Sequence, residues 1–91
     1  MSIKIEIPES LQQKTDGEPS IDVVGDTLRE CVERLVRRYP DLKGEIVDAK
    51  GVLLLKWVIL VNGKVADTPE ELLHPVKDGD VIVLIPMIAG G

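Results

Sequence analysis

The position in this chain best placed to take part in a reaction is its last one. Ala89-Gly90-Gly91 follows closely on a strand-forming run from Val81 to Ile85, leaving a free carboxylate on a narrow end. Glycine has no Cβ and reaches backbone conformations closed to other residues, so such an end can thread into a confined active site and present its carboxylate unhindered. Average glycine usage of about 7% makes a chance Gly-Gly pair roughly a one-in-two-hundred event, so the meaning of the pair comes from its context. Extended at about 3.3 Å per residue, the stretch from Pro86 to Gly91 reaches roughly 20 Å. Nothing else in the chain makes a reactive set: there is no nucleophile-base arrangement, no phosphate-cradling glycine loop and no metal-ligand cluster, so neither a catalytic nor a metal site is expected.

The remaining chemically capable side chains have ordinary structural readings. Cys31 could accept a persulfide, but it flanks an apolar helical stripe and reads as a small buried hydrophobe. His74 stands before Pro75 without a second histidine in the chain. Trp57 is a lone aromatic and reads as a strand or core residue. Arg34, Arg37 and Arg38 could dock an acidic partner, or simply form a solvated helix face with cations near its C-terminal end.

The elements that must carry the tail follow from periodicity. Ile3, Ile5 and Ile7 alternate with polar residues up to Pro8, a half-buried strand. Residues 9–20 are polar, contain Gly17 and Pro19, and read as a loop to a second strand beginning near Ile21 and Val23. Thr27 and Glu30 form a capping box, each able to satisfy the other's backbone amide at a helix start. Leu28, Val32, Leu35 and Tyr39 then lay down one apolar stripe, flanked by Cys31 and Val36, until Pro40 ends it. Residues 41–51 are mixed and turn-rich. Trp57 to Val61 is a strand, and Asn62-Gly63 before Lys64-Val65 marks a tight hairpin. Residues 68–73 read as a short helical turn with Pro69 at its first position, and residues 77–80 as a turn before the last strand.

This order implies an α+β protein of β-grasp type: a mixed sheet of four to five strands with one main helix on one face, spanning residues 1–85 as a single domain, with 86–91 a flexible tail. One helix of about twelve residues, roughly 18 Å long, shields one sheet face, yet Val81–Ile85 is apolar on both. Either the segment 41–51 covers the second face, or that face is an exposed apolar patch for a partner.

Composition narrows the partners. With 11 Lys and Arg against 16 Asp and Glu, the net charge is −5, which repels phosphate backbones and anionic lipid surfaces. Neither nucleic acid nor membrane is expected as a partner. The single cysteine excludes an internal disulfide framework and fits a reducing compartment, the N-terminus lacks a signal-peptide pattern, and the longest apolar region, Val52 to Val61, is about half the roughly 20 residues a bilayer requires. Cytoplasmic placement is the expectation.

Val61-Asn62-Gly63, Asp78-Gly79-Asp80, Ile85-Pro86 and Ala89-Gly90-Gly91 together resemble the ubiquitin-like sulfur carriers of the MoaD/ThiS group, over essentially the whole chain. Ile7-Pro8 with Leu11, Thr15 and Gly17, and Gly25-Asp26-Thr27-Leu28, add a similarity to the carriers used in cysteine biosynthesis. The resemblance implies that the Gly91 carboxylate is adenylated by a ubiquitin-activating-type adenylyltransferase that binds ATP, and that sulfur then displaces AMP to give a thiocarboxylate. This chain would bind no cofactor itself. The acceptor would be a synthase subunit or a cysteine synthase-like enzyme, working on a molybdopterin precursor, a thiazole precursor or an activated serine derivative. The resemblance also implies docking through the sheet face beside the tail. Alternation puts Val83 and Ile85 on that face next to Pro86, and turns Ile82 and Leu84 toward the helix. Met87, Ile88, Ala89 and Gly90 would enter the partner's channel. Met87 and Ile88 read either as contacts to its walls or as incidental apolar residues of a floppy tail, the first being favoured because apolar residues on a disordered end otherwise have no obvious use. Two other readings stand beside this one: a modifier joined to target lysines through Gly91, and an interaction module whose tail does nothing.

Overall fold

The computed structural model describes residues 2–50, 54, 56–66 and 73–86. Its elements run β1 (Ile3–Glu6), β2 (Ser20–Val23), α1 (Leu28–Arg38), β3 (Trp57–Val61), β4 (Lys64–Val65) and β5 (Val81–Pro86). They form one five-stranded sheet in the order β2-β1-β5-β3-β4. β1 and β5 lie parallel at its centre and every other pairing is antiparallel. The parallel pair exists because the chain leaves the β1–β2 hairpin through α1 and returns to the far side of β1, as a parallel crossover must. This is the β-grasp arrangement expected from the element order.

α1 starts where the capping box places it. The Thr27 hydroxyl oxygen accepts the Glu30 N–H at 3.2 Å. Glu30 does not return the bond to Thr27 itself; its carboxylate accepts the Asp26 N–H one residue earlier, at 2.7 Å. Leu28, Cys31, Val32 and Leu35 are buried along the inner face. They meet Ile3, Ile5, Ile21 and Val23 from the hairpin and Ile59, Ile82 and Leu84 from the other half of the sheet. Truncating a wholly buried leucine such as Leu35 in this layer costs about 2–5 kcal/mol.

Two connections differ from the sequence reading. Residues Glu9–Thr15, expected as open loop, wind into a 3-10 helix. Leu11 and Thr15 face inward from it, and the Thr15 hydroxyl lies 3.2 Å from the Gln12 carbonyl and 2.9 Å from that of Glu18, so its proton serves one of the two at a time. Asp16 and Gly17, both at positive φ, then unwind the chain toward β2. The segment after α1 packs on the helix side of the sheet. Leu42, Ile46 and Val47 join the core, the Trp57 indole N–H donates to the Glu45 carbonyl at 2.6 Å, and Leu54 N–H bonds the Ile46 carbonyl. Among the described residues nothing covers the second face of β5, which favours the reading of that face as an open apolar patch. The expected helical turn at 68–73 falls almost wholly outside the described residues.

Candidate functional site

Residues opposite one another in a ladder share a face, so the sheet register builds the outer surface row by row. On it, Ser20 lies beside Glu6, Glu6 beside Val83, Val83 beside Leu60, and Leu60 beside Val65. A second row runs Asp22, Lys4, Val81, and a third pairs Ile85 with Val58. The outer face is thus divided. The β2–β1 half is polar, whereas the β5–β3–β4 half presents Val58, Leu60, Val65, Val81, Val83 and Ile85. Val65 and Ile85 are exposed, and the rest half-buried. Contiguous apolar surface of this kind, rimmed by charge, is a recurrent feature of interaction sites.

Val83 and Ile85 sit on this open face, and Ile82 and Leu84 are buried against the helix layer. β5 extends one residue past the expected strand end, to an exposed Pro86 opposite Trp57. Pro86 has no N–H to give to a ladder, which suits it to a strand terminus. The tail residues Met87, Ile88, Ala89, Gly90 and Gly91 lie outside the described residues. Sequence reasoning found the β5 side of the patch and overlooked β3 and β4. The signal was present, because Trp57 to Val61 is apolar on both faces just as β5 is.

The structure also joins two turns that the sequence kept apart. At the β3–β4 hairpin, Asn62 and Gly63 both take positive φ, as an Asn-Gly turn requires. The Asn62 side chain then reaches the turn before β5: its amide nitrogen donates to Asp80 Oδ1 at 2.9 Å, and its oxygen accepts the Val81 N–H at 2.9 Å. Asp80 Oδ2 accepts the Lys77 N–H at 2.8 Å. The Asn62 hydrogen bond, followed by the one from the Lys77 backbone, holds the Asp80 carboxyl below the ordinary carboxylate range. The Lys4 N–H donates to the Asp80 carbonyl and the Gly79 N–H to that of Ser2, so this clamp fixes the start of β5 against both β1 and β3.

Other candidates lie apart from the patch. Cys31 is fully buried beneath α1, and burial, aided by the neighbouring Glu30 charge, pushes its thiol up to about 11. That leaves it neutral and inaccessible, as its place on the apolar stripe suggested. The His74 carbonyl accepts the Leu28 N–H, tying its segment to the start of α1. Among the described residues no three His, Cys, Asp or Glu side chains are grouped to hold a metal ion, and no helix is long and apolar enough to cross a membrane. Arg38 stacks its guanidinium 5.4 Å from the Tyr39 ring centre.

A mixed sheet grasping one helix, with a bare apolar half-face along its last strand, defines a ubiquitin-like β-grasp protein. The chain belongs to the ThiS family, whose model matches residues 5–91. It is similar to the sulfur carrier protein CysO of Mycobacterium tuberculosis, 29% identical over 93 residues with the whole of both chains covered. It is also similar to ubiquitin-related modifier 1 of Encephalitozoon cuniculi, 34% identical over 83 residues, covering 91% of this chain and 81% of that one. Among solved structures, a chain of the Amycolatopsis orientalis BexX/CysO complex superposes with a TM-score of 0.86 at 29% identity, covering 98% of this chain and 99% of that chain.

Proposed function

We propose that this chain is a sulfur carrier whose Gly91 carboxylate is converted to a thiocarboxylate. A carboxylate is a poor acyl electrophile. A partner adenylyltransferase would therefore join it to the AMP portion of ATP with release of pyrophosphate, and a sulfur donor would displace AMP by forming a C–S bond at the same carbonyl. The folded body contributes no acid or base to these steps. Its part is to hold the partner through the apolar half-face and to aim the tail that leaves β5 at Pro86. The observation that carries this reading is the bare patch of Val58, Leu60, Val83 and Ile85 beside that exit, in a chain of the ThiS family.

Incubation with its adenylyltransferase, ATP and a sulfide donor should shift the intact mass by the replacement of one oxygen with sulfur. No shift with an enzyme verified to adenylate the chain would overturn the proposal. For the acceptor, the similarity to CysO accords with the resemblance of Ile7-Pro8 and Gly25–Leu28 to cysteine-biosynthesis carriers, which favours an activated serine derivative held by a cysteine synthase-like enzyme over a molybdopterin or thiazole precursor. Purified thiocarboxylate offered to each acceptor enzyme distinguishes the three.

The similarity to ubiquitin-related modifier 1 favours one second reading, conjugation of Gly91 to lysines of other proteins. Diglycine remnants on target lysines, released by a protease that cuts this arginine-free tail, would support it. Both readings draw on the same activated terminus.

A further inference from the structure

A groove of about 560 Å³ runs along the outer flank of α1, on the side of the sheet away from the open face. Its floor is apolar, formed by Val32, Val36 and Val47. Val32 and Val47 are core residues showing only their edges, and Val36 is half-buried against the core. Arg29 and Arg37, two helical turns apart on α1, face Lys43 and Lys50 on the following segment, and all four are exposed. Two carboxylates, Glu33 and Asp48, also line it. The count within the groove is 4 − 2 = +2, on a chain whose total is −5. The remainder of the chain therefore carries −5 − 2 = −7, which makes the groove a local reversal of sign.

An apolar floor between cationic rims suits an extended peptide that buries one or two aliphatic side chains and holds carboxylates on either side. Its volume lies within the roughly 300–1,000 Å³ of sites that enclose small ligands or a few residues. A phosphate polymer fits less well, because beyond the groove it meets the acidic remainder of the surface. We propose that this groove is a second docking surface, taking an acidic peptide segment with an aliphatic anchor from a partner protein. Because it lies on the opposite side of the sheet from Val58 and Ile85, it can be filled while the tail is engaged elsewhere. The inference is independent of the chemistry proposed for Gly91.

The test uses the full chain labelled with nitrogen-15 and a capped peptide of alternating glutamate and leucine, with a lysine-for-glutamate peptide as control. The expected result is saturable amide shifts along 29–37 and 43–50 with the glutamate peptide. The double variant Arg37→Glu, Lys43→Glu should weaken binding by about tenfold, as loss and reversal of two exposed charge pairs implies, and its unchanged far-ultraviolet dichroism would show that the fold is kept. Raised salt should weaken binding as well. Four results would overturn the proposal: no saturable shift, equal shifts from the lysine peptide, equal shifts from inorganic phosphate, or shifts at the groove that depend only on the concentration of the chain itself. The last would make a second copy the occupant.

Discussion

Ile82 and Ile85 are three residues apart on one strand, and exchanging each for alanine should separate folding from docking. Ile82 is fully buried against the helix layer. Its truncation removes apolar contacts and leaves a cavity, at a cost of about 2–5 kcal/mol. For a chain of this size each kcal/mol lowers the melting temperature by about 4–8 °C, so Ile82→Ala should melt at least about 8 °C lower. Ile85 is 39% exposed on the open face. Complete burial of an isoleucine side chain contributes about 1.5–3 kcal/mol, so a partner covering the remaining 39% gains about 0.6–1.2 kcal/mol from this residue. Ile85→Ala should therefore weaken binding to the proposed adenylyltransferase by about three- to eightfold. Ile85→Asp should do more, because it also places an unpaired carboxylate in a desolvated contact. The assay pairs a thermal melt with titration calorimetry against the enzyme, supported by the KM for the carrier in adenylation. The reasoning fails if Ile85→Asp binds like the parent chain, or if Ile85→Ala melts as low as Ile82→Ala.

Asp80 should give the fold an acid limit. Its carboxyl is held below the unfolded value of about 3.9, so its contribution to stability is present above that pH and is lost as pH falls through the lower, folded value. Urea midpoints between pH 5 and 2 should show a smaller decline in Asn62→Gly, which removes the side-chain hydrogen bond that does most to lower the Asp80 carboxyl and still tolerates the positive φ at that position. Gly79 has φ +90°, so Gly79→Ala should cost about 1–2 kcal/mol by denaturant titration. Gly25→Ala should also destabilise, because the added Cβ would come 3.0 Å from Cys31 Sγ and 3.2 Å from its backbone nitrogen in a packed layer; an unchanged melting temperature would show that the helix start gives way freely. Cys31, with its thiol pushed up to about 11 by burial, should resist iodoacetamide at pH 7.5 in the folded chain and react once the chain is unfolded.

The elements legible in the sequence were those whose signal is local. The Thr27–Glu30 cap, the alternation through Ile3 and Ile5 and the Asn62-Gly63 turn each state their structure within a few residues, and each forms as read. The 3-10 helix at Glu9–Thr15 was hidden because its inward-facing residues number only two, Leu11 and Thr15, and it is held by partners a local pattern does not name: the Pro40–Leu42 turn it packs against and the Ile7 and Glu18 carbonyls that Gln12 and Thr15 bond. The Asn62–Asp80 clamp was hidden for a different reason. Both turns were visible, but their partners are 18 residues apart and only the β3–β5 register brings them together. The open face was half legible: alternation along β5 turned Val83 and Ile85 outward, but only the strand order shows that β3 and β4 extend the patch while β1 closes it with Lys4 and Glu6.

That boundary bears on how the surface can work. β5 is central, so both its ladders are filled and it cannot recruit a partner by strand addition. What it offers outward is side chains alone, held in a fixed row by register to β1 on one side and β3 on the other. A partner that reads Val83 and Ile85 therefore reads the sheet's geometry. A one-residue slip of β5 would expose Ile82 and Leu84 in their place and strip the helix of its floor. Asn62 resists that slip from the start of the strand, since its side chain grips both Asp80 and the Val81 amide. Loosening the clamp should thus weaken docking at the distant Pro86 end, even though Asn62 and Asp80 themselves lie outside the patch. Binding of the Asn62→Gly chain to the proposed adenylyltransferase, measured where the chain remains folded, checks this, and parent-like affinity would show that the β1 and β3 ladders hold the register without it.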